Sequence, residues 1–193
     1  YKDYQSGQGT MFYYNGDKYE GEWAEDKRAG KGRYTFKNGA FYDGYWLDDR
    51  KNGKGVFDWG DGSSYTGDWV NNLKEGKGTY VYGDGEEYSG QWKNDLQNGH
   101  GKLTKKGGDV FDGTFKDGKP DGQIIIHYAN GSKYKGTFKQ GKRNGPAIEE
   151  DREGKRFEGS YLDDKRDGKF VEKDRNGKIV KTGHYEGGRR FDD

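Results

Sequence analysis

Lys18-Tyr-Glu-Gly-Glu-Trp-Ala-Glu-Asp-Lys-Arg-Ala-Gly-Lys-Gly-Arg-Tyr-Thr-Phe-Lys-Asn-Gly-Ala-Phe41 is the stretch that decides the architecture. Side chains alternate faces along a strand, so Tyr19, Gly21 and Trp23 share one face and Lys18, Glu20 and Glu22 the other. This is the pattern of a half-buried strand. A polar connection, Ala24 to Gly30, follows it. Gly32, Tyr34 and Phe36 then alternate with Arg33, Thr35 and Lys37, which predicts a second strand. Asn38-Gly39 comes next. Asn-Gly tolerates positive φ at both central turn positions, which predicts a two-residue type I′ hairpin at that point. The same slot holds Asn15-Gly16, Asp61-Gly62, Asp84-Gly85, Asn130-Gly131 and Asn176-Gly177.

The unit repeats. An aromatic-x-Gly-x-aromatic phrase recurs with its glycine every 23 residues, at Gly21, Gly44, Gly67, Gly90, Gly113, Gly136 and Gly159. A fixed period of this length marks a repeat architecture. If each unit is a hairpin, consecutive hairpins join into an antiparallel meander. The expected fold is therefore all-β: an elongated, twisted, single-layer antiparallel solenoid of consecutive β-hairpins, with a concave aromatic groove. A glycine inside a strand marks a bend or the close approach of other atoms, so the rings are expected to pack over it and curve the sheet. Full repeats are expected at 19–41, 42–64, 65–87, 88–110, 111–133, 134–156 and 157–180, within one array covering 1–193. Residues 1–18 form a partial repeat and 181–193 a partial or capping one.

Leu, Ile, Val and Phe make up only about 13% of the 193 residues, but aromatics make up 16% and the formal net charge is +1. Tyr and Trp thus replace the missing aliphatics, and the low charge argues against a disordered chain. Cysteine is absent, which excludes disulfides and thiolate metal sites and fits a reducing compartment. No apolar run approaches the ~18 residues of a membrane-spanning helix. Balanced charge argues against nucleic acid as a partner, which calls for a strongly basic face. The chain begins at Tyr1 rather than Met, and Tyr1 to Gly9 match the back half of a repeat. It is expected to be a piece of a longer chain, so the lack of a leader sequence carries no information.

Tyr-x-Gly-x-Trp, then about six polar residues, Gly-x-Gly, aromatic alternation and Asn/Asp-Gly: this order resembles the MORN repeat. Tyr65 to Tyr82, with Gly76 and Gly78, is close to that pattern throughout, and the resemblance covers essentially the whole chain. It implies a single-layer β array without implying one activity. Such arrays occur in cytoskeletal and ciliary scaffolds, in membrane-contact proteins, and beside the catalytic domains of lipid kinases and lysine methyltransferases. The resemblance implies protein binding or dimerisation, and also phospholipid binding. The pattern drifts toward the C-terminus. Trp gives way to Phe115, Phe138, Tyr161 and Tyr185, and the Tyr34/Phe36 and Tyr80/Tyr82 slots become Glu149/Asp151 and Glu172/Asp174. Gly183 follows Gly159 by 24, so one residue is inserted after Gly177. Residues from about 140 to 193 are expected to cap the open end of the array or to form a differently specialised end.

Little in the chain suggests catalysis. Gly113-Thr-Phe-Lys-Asp-Gly-Lys119 nearly matches a phosphate-binding loop, but Pro120 stands where a hydroxyl is needed, and the phrase recurs one period later at Gly136. His100, His127 and His184 occupy no common slot, whereas ligation and acid–base chemistry need convergent groups. No cofactor, metal or enzymatic activity is expected. The aromatic face carries the functional expectation. Tyr19, Trp23, Tyr42, Trp46, Tyr65, Trp69, Tyr88 and Trp92 either serve only as core or also line a groove for a protein segment (a peptide or helix) or a second copy of the chain. The rival is a phospholipid headgroup held by Lys139, Lys142, Arg143, Lys165 and Arg166. Residues 111–193 carry 19 basic and 16 acidic side chains, a balance of +3, but acids interleave throughout. Anionic-lipid sites instead cluster about 4–8 cations. The sequence thus favours a non-catalytic scaffold or adaptor, cytoplasmic and associated with cytoskeleton, cilium or membrane. The alternatives are a peripheral phospholipid-binding module and a targeting or regulatory repeat domain of a larger enzyme.

Overall fold

The computed structural model describes residues 4–193; Tyr1 to Asp3, the start of the leading partial repeat, lie outside the described residues. These fall into two compact units, one ending at Leu96 and one spanning Gln97–Asp193. The first contains β1 (Gly7–Phe12), β2 (Lys18–Ala24), β3 (Lys27–Thr35), β4 (Phe41–Leu47), β5 (Arg50–Asp58), β6 (Ser64–Val70), β7 (Leu73–Val81) and β8 (Glu87–Lys93). Each strand pairs antiparallel with its sequence neighbours, without crossovers. The second contains β9 (Leu96–Thr104, starting at the boundary), β10 (Val110–Lys116), β11 (Lys119–His127), β12 (Lys133–Lys139), β13 (Lys142–Glu150) and β14 (Arg156–Leu162). It ends with β15 (Lys165–Arg166), β16 (Gly168–Lys173), β17 (Ile179–Glu186) and β18 (Arg189–Asp192), again paired in chain order. The expected all-β array of consecutive antiparallel hairpins is what forms.

The tight turn is not where Asn-Gly predicts it. The two-residue type I′ turns sit inside the stretch read as a polar connection, at Glu25-Asp26, Asp48-Asp49, Asn71-Asn72, Asn94-Asp95 and Asp163-Asp164, with φ between +47° and +70° at both positions. Asp and Asn tolerate this region better than other residues with side chains. Here they also act between turns: the Asp49 carboxylate accepts the Arg28 N–H at 2.8 Å, and Asp95 accepts that of Lys74 at 2.7 Å. At Asn38-Gly39 only the glycine has positive φ. The Gly39 N–H donates to the Phe36 carbonyl, and the Asn38 Oδ1 accepts the Ala40 N–H at 3.0 Å. Asn and Asp are selected in this slot as side-chain acceptors of a longer loop.

The strand glycines meet in pairs across the sheet: Gly21 faces Gly32, Gly44 faces Gly55 and Gly67 faces Gly78. The rings do pack over a glycine, but over its partner across the ladder. A Cβ on Gly78 would fall on the phenol of Tyr65, 2.5 Å from Cε2, and one on Gly67 would stand 2.5 Å from the Lys77 carbonyl oxygen. The Gly-x-Gly phrase of one strand thus leaves room for the tyrosine of the strand before it. In the second unit this slot is still glycine at Gly101 and then becomes Ile124, Ala147 and Phe170. The inserted residue after Gly177 is absorbed as a bulge, since Glu172 pairs with Lys181 and Lys173 with Ile179, leaving Val180 out of register.

Candidate partner-binding face

On one face of the first unit, the eight rings expected in the groove form the core. Tyr19, Tyr42, Tyr65 and Tyr88 are at most 1% exposed, and Trp23, Trp46, Trp69 and Trp92 at most 7%. Tyr19, Tyr42 and Tyr65 are each clamped edge-on between two tryptophans: Tyr42 meets Trp46 at 5.1 Å and Trp69 at 5.5 Å, and Tyr65 meets Trp69 at 5.0 Å and Trp92 at 5.3 Å. Such pairs contribute about 0.5–1.5 kcal/mol each beyond area burial. The polar ends are satisfied. The Tyr65 hydroxyl donates to the Asp68 carbonyl at 2.9 Å, and the Trp46 Nε1–H to the Gly32 carbonyl at 3.0 Å. Burial pushes the Tyr19 and Tyr88 phenols up to about 12.

Beside this core runs a second row of rings from the ends of the longer strands and the loops after them. Tyr13, Tyr34, Phe36, Phe57, Trp59, Tyr80 and Tyr82 are all half-buried. They form a continuous ladder: successive centroids lie 5.5, 4.8, 5.7, 4.4, 5.3 and 4.5 Å apart. Alternation in β3, β5 and β7 puts these residues on the tyrosine–tryptophan side, and their distance from the glycine pair leaves them partly open.

A column of cations runs along the same face. Arg28 lies 4.6 Å from the Trp46 centroid; Lys51 lies 5.2 Å from Trp69 and 5.5 Å from Phe57; Lys74 lies 5.6 Å from both Tyr80 and Trp92. These positions follow the type I′ turns at the 23-residue period. In the sequence they lie inside a polar connection and show no local signal of their own. Their common period with the glycines is the signal that could have found them.

In the second unit the ladder gives way to charge. Glu149 and Glu172 occupy ladder slots and are paired by Arg166 (3.1 Å) and Arg190 (2.8 Å). Arg166 also donates to the Tyr185 hydroxyl at 3.1 Å and lies 3.8 Å over the Phe157 ring, while the Tyr161 hydroxyl bonds to Glu149. A cavity of about 470 Å³ opens here, lined by Tyr128, Lys133, Glu149, Phe157, Arg166 and Glu172 among others. Of the five basic residues considered for lipid headgroups, Lys139, Lys142 and Lys165 are exposed. Arg143 is instead bound to Asp164 at 3.2 Å and lies over Tyr161, and Arg166 is held as just described.

Comparison with known proteins agrees with this geometry. The MORN repeat pattern matches residues 1–18, 19–41, 42–64, 65–87, 88–110, 111–133, 134–156 and 157–178. No curated relative matches the chain. Among solved structures it is similar to a single-residue variant of the TCP10 domain of Danio rerio CPAP, at 18% identity, 93% coverage of this chain, 90% of that one and TM-score 0.52. It is also similar to the SAS-4 (dCPAP) TCP domain of Drosophila melanogaster in complex with a proline-rich motif of Ana2 (dSTIL), at 13% identity, 93% and 90% coverage, and TM-score 0.52. At these identities the likeness is one of fold. The MORN repeat is a non-catalytic repeat type. With eight consecutive repeats matched, those of the first unit carrying the glycine pairs and clamped tyrosines described above, the chain belongs to the MORN repeat family.

Proposed function

We propose that the chain is a scaffold or adaptor module that binds a protein segment along the aromatic face of its first unit. The observation that carries this reading is the ladder from Tyr13 to Tyr82, a row of half-exposed rings supported by a buried row. Rings of this kind bury area at low entropic cost, and ring-lined surfaces suit preformed polyproline-like segments. The dCPAP domain in complex with a proline-rich motif supports an extended segment as the occupant. The eight buried rings then act as the support, holding the ladder rather than meeting the partner first. The same face can take a second copy of the chain, which light scattering on the isolated chain reads directly. The setting is taken to be a cytoskeletal, ciliary or membrane-associated assembly, as the family resemblance implies. The test is affinity capture with the wild-type chain and with a Phe57→Ser, Trp59→Ala double variant, whose substitutions spare the buried row. Partners lost by the folded variant support the reading; partners retained at full yield refute it.

A further inference from the structure

At three equivalent positions of the repeat, two in the first unit and one in the second, a turn acid neutralises the cation. The Arg28 Nε lies 3.0 Å from Asp49, the Lys74 Nζ 3.4 Å from Asp95, and the Arg143 Nε 3.2 Å from Asp164. In each case the same carboxylate also accepts the backbone N–H of the cationic residue. At Lys51 the equivalent position holds Asn72. The Asn72 Oδ1 still accepts the Lys51 N–H at 2.9 Å, so the turn is intact, but the negative charge is gone. No carboxylate among the described residues forms an ion pair with the Lys51 ammonium. It is instead surrounded by Tyr42 (5.8 Å), Phe57 (5.5 Å) and Trp69 (5.2 Å). This is the middle of the ring ladder, where a cation with no ion-pair partner lies against half-exposed apolar surface.

We propose that Lys51 is the seat for the carboxylate of an Asp or Glu side chain in an extended partner segment lying across Phe57 and Trp59. The inference rests on the face reading above and adds the partner's chemistry: an acidic residue flanked by apolar residues or proline. The charge itself selects the acid. A half-buried ammonium gains most from a charge-assisted hydrogen bond, and a neutral amide or hydroxyl on the partner would leave the cation uncompensated. Burial among the rings, with Arg28 and Lys74 as like-charged neighbours, also disfavours the bare ammonium and lowers its pKa, despite the attraction of Asp95. A carboxylate from outside relieves that cost. Arg28 and Lys74 already have such a carboxylate, so they compete less for the ligand.

The test uses the full chain and random peptides displayed on phage, followed by affinities for one enriched peptide and its Glu→Gln or Asp→Asn counterpart. Enriched peptides are expected to carry an acidic residue flanked by apolar ones. Lys51→Gln and Asn72→Asp should each weaken the acidic peptide about ten-fold and leave its amide counterpart nearly unchanged. Asn72→Asp is the decisive variant. It keeps the lysine and installs the internal carboxylate that the neighbouring repeats already tolerate. Enrichment without acidic bias, or unchanged affinity in both variants while Trp59→Ala abolishes binding, overturns the role of Lys51 and leaves the face reading standing. Binding unaffected by Trp59→Ala, or no enrichment at all, overturns the face reading and this inference with it.

Discussion

Replacing Gly78 by alanine tests the packing principle of the whole array. The new Cβ falls on the Tyr65 phenol, 2.5 Å from Cε2, so the ring must move. If it moves, its hydroxyl loses the bond to the Asp68 carbonyl (2.9 Å), and its edge contacts with Trp69 and Trp92 loosen. The chain contains a natural counterpart. Ala147 faces Gly136 across the ladder from Tyr134, and there the ring is still fully buried but its hydroxyl bonds to no described residue. Leaving a buried hydroxyl unpaired costs about 1–3 kcal/mol. Each weakened ring pair adds part of its ~0.5–1.5 kcal/mol. Gly78→Ala should therefore destabilise the chain by about 2–3 kcal/mol in urea denaturation. In a Tyr65→Phe background the cost should fall by about 1 kcal/mol, because the hydroxyl bond is already absent. A Gly78→Ala chain within about 0.5 kcal/mol of wild type, the range of an ordinary surface change, would refute the reasoning.

Other perturbations have defined outcomes. Tyr134→Phe should leave stability unchanged or raised, while Tyr65→Phe should cost about 1 kcal/mol, because only the latter loses a hydrogen bond; equal losses by calorimetry would contradict this. Glu149→Gln weakens the pairing with Arg166 while that cation stays partly buried, and should cost about 2 kcal/mol in urea denaturation; an unchanged midpoint would count against it. Tyr19 and Tyr88 are neutral in the fold and held up to about 12. Their folded pKa values lie above the free-phenol value of ~10, so their contribution is fully present below ~10 and is lost as pH rises toward the folded value. Phenolate absorbance should thus rise in two stages, exposed tyrosines first, the buried ones together with unfolding. Ionisation of every tyrosine near the free value with the fold intact would be incompatible with this burial.

The strand faces, the period and the glycine positions were readable in the sequence, because alternation and a 23-residue repeat map directly onto a pleated hairpin. The position of the tight turn is not legible in the same way, because Asn-Gly is compatible with two loop types. What separates them is the Asp or Asn of the neighbouring turn, whose value shows only once Asp49 is seen beside Arg28. The candidate face was legible in part. Tyr19 and Trp23 were identified as ring positions, but that their burial leaves Tyr34, Phe36 and Trp59 at the surface depends on ring packing over the cross-strand glycine. No local pattern encodes that packing. The cation column lay hidden for the same reason, since Lys51 in a polar stretch looks solvated until the rings of Tyr42, Phe57 and Trp69 are placed around it.

The most direct test of the aromatic ladder as the partner-binding surface is site-specific photo-crosslinking. A photoreactive side chain placed at Trp59 lies in the ladder, and one at Tyr45 lies on the opposite, exposed face of the same unit. Crosslinks to a captured partner from position 59 and none from position 45 are the predicted result. Efficient crosslinking from position 45, with position 59 silent, would contradict it.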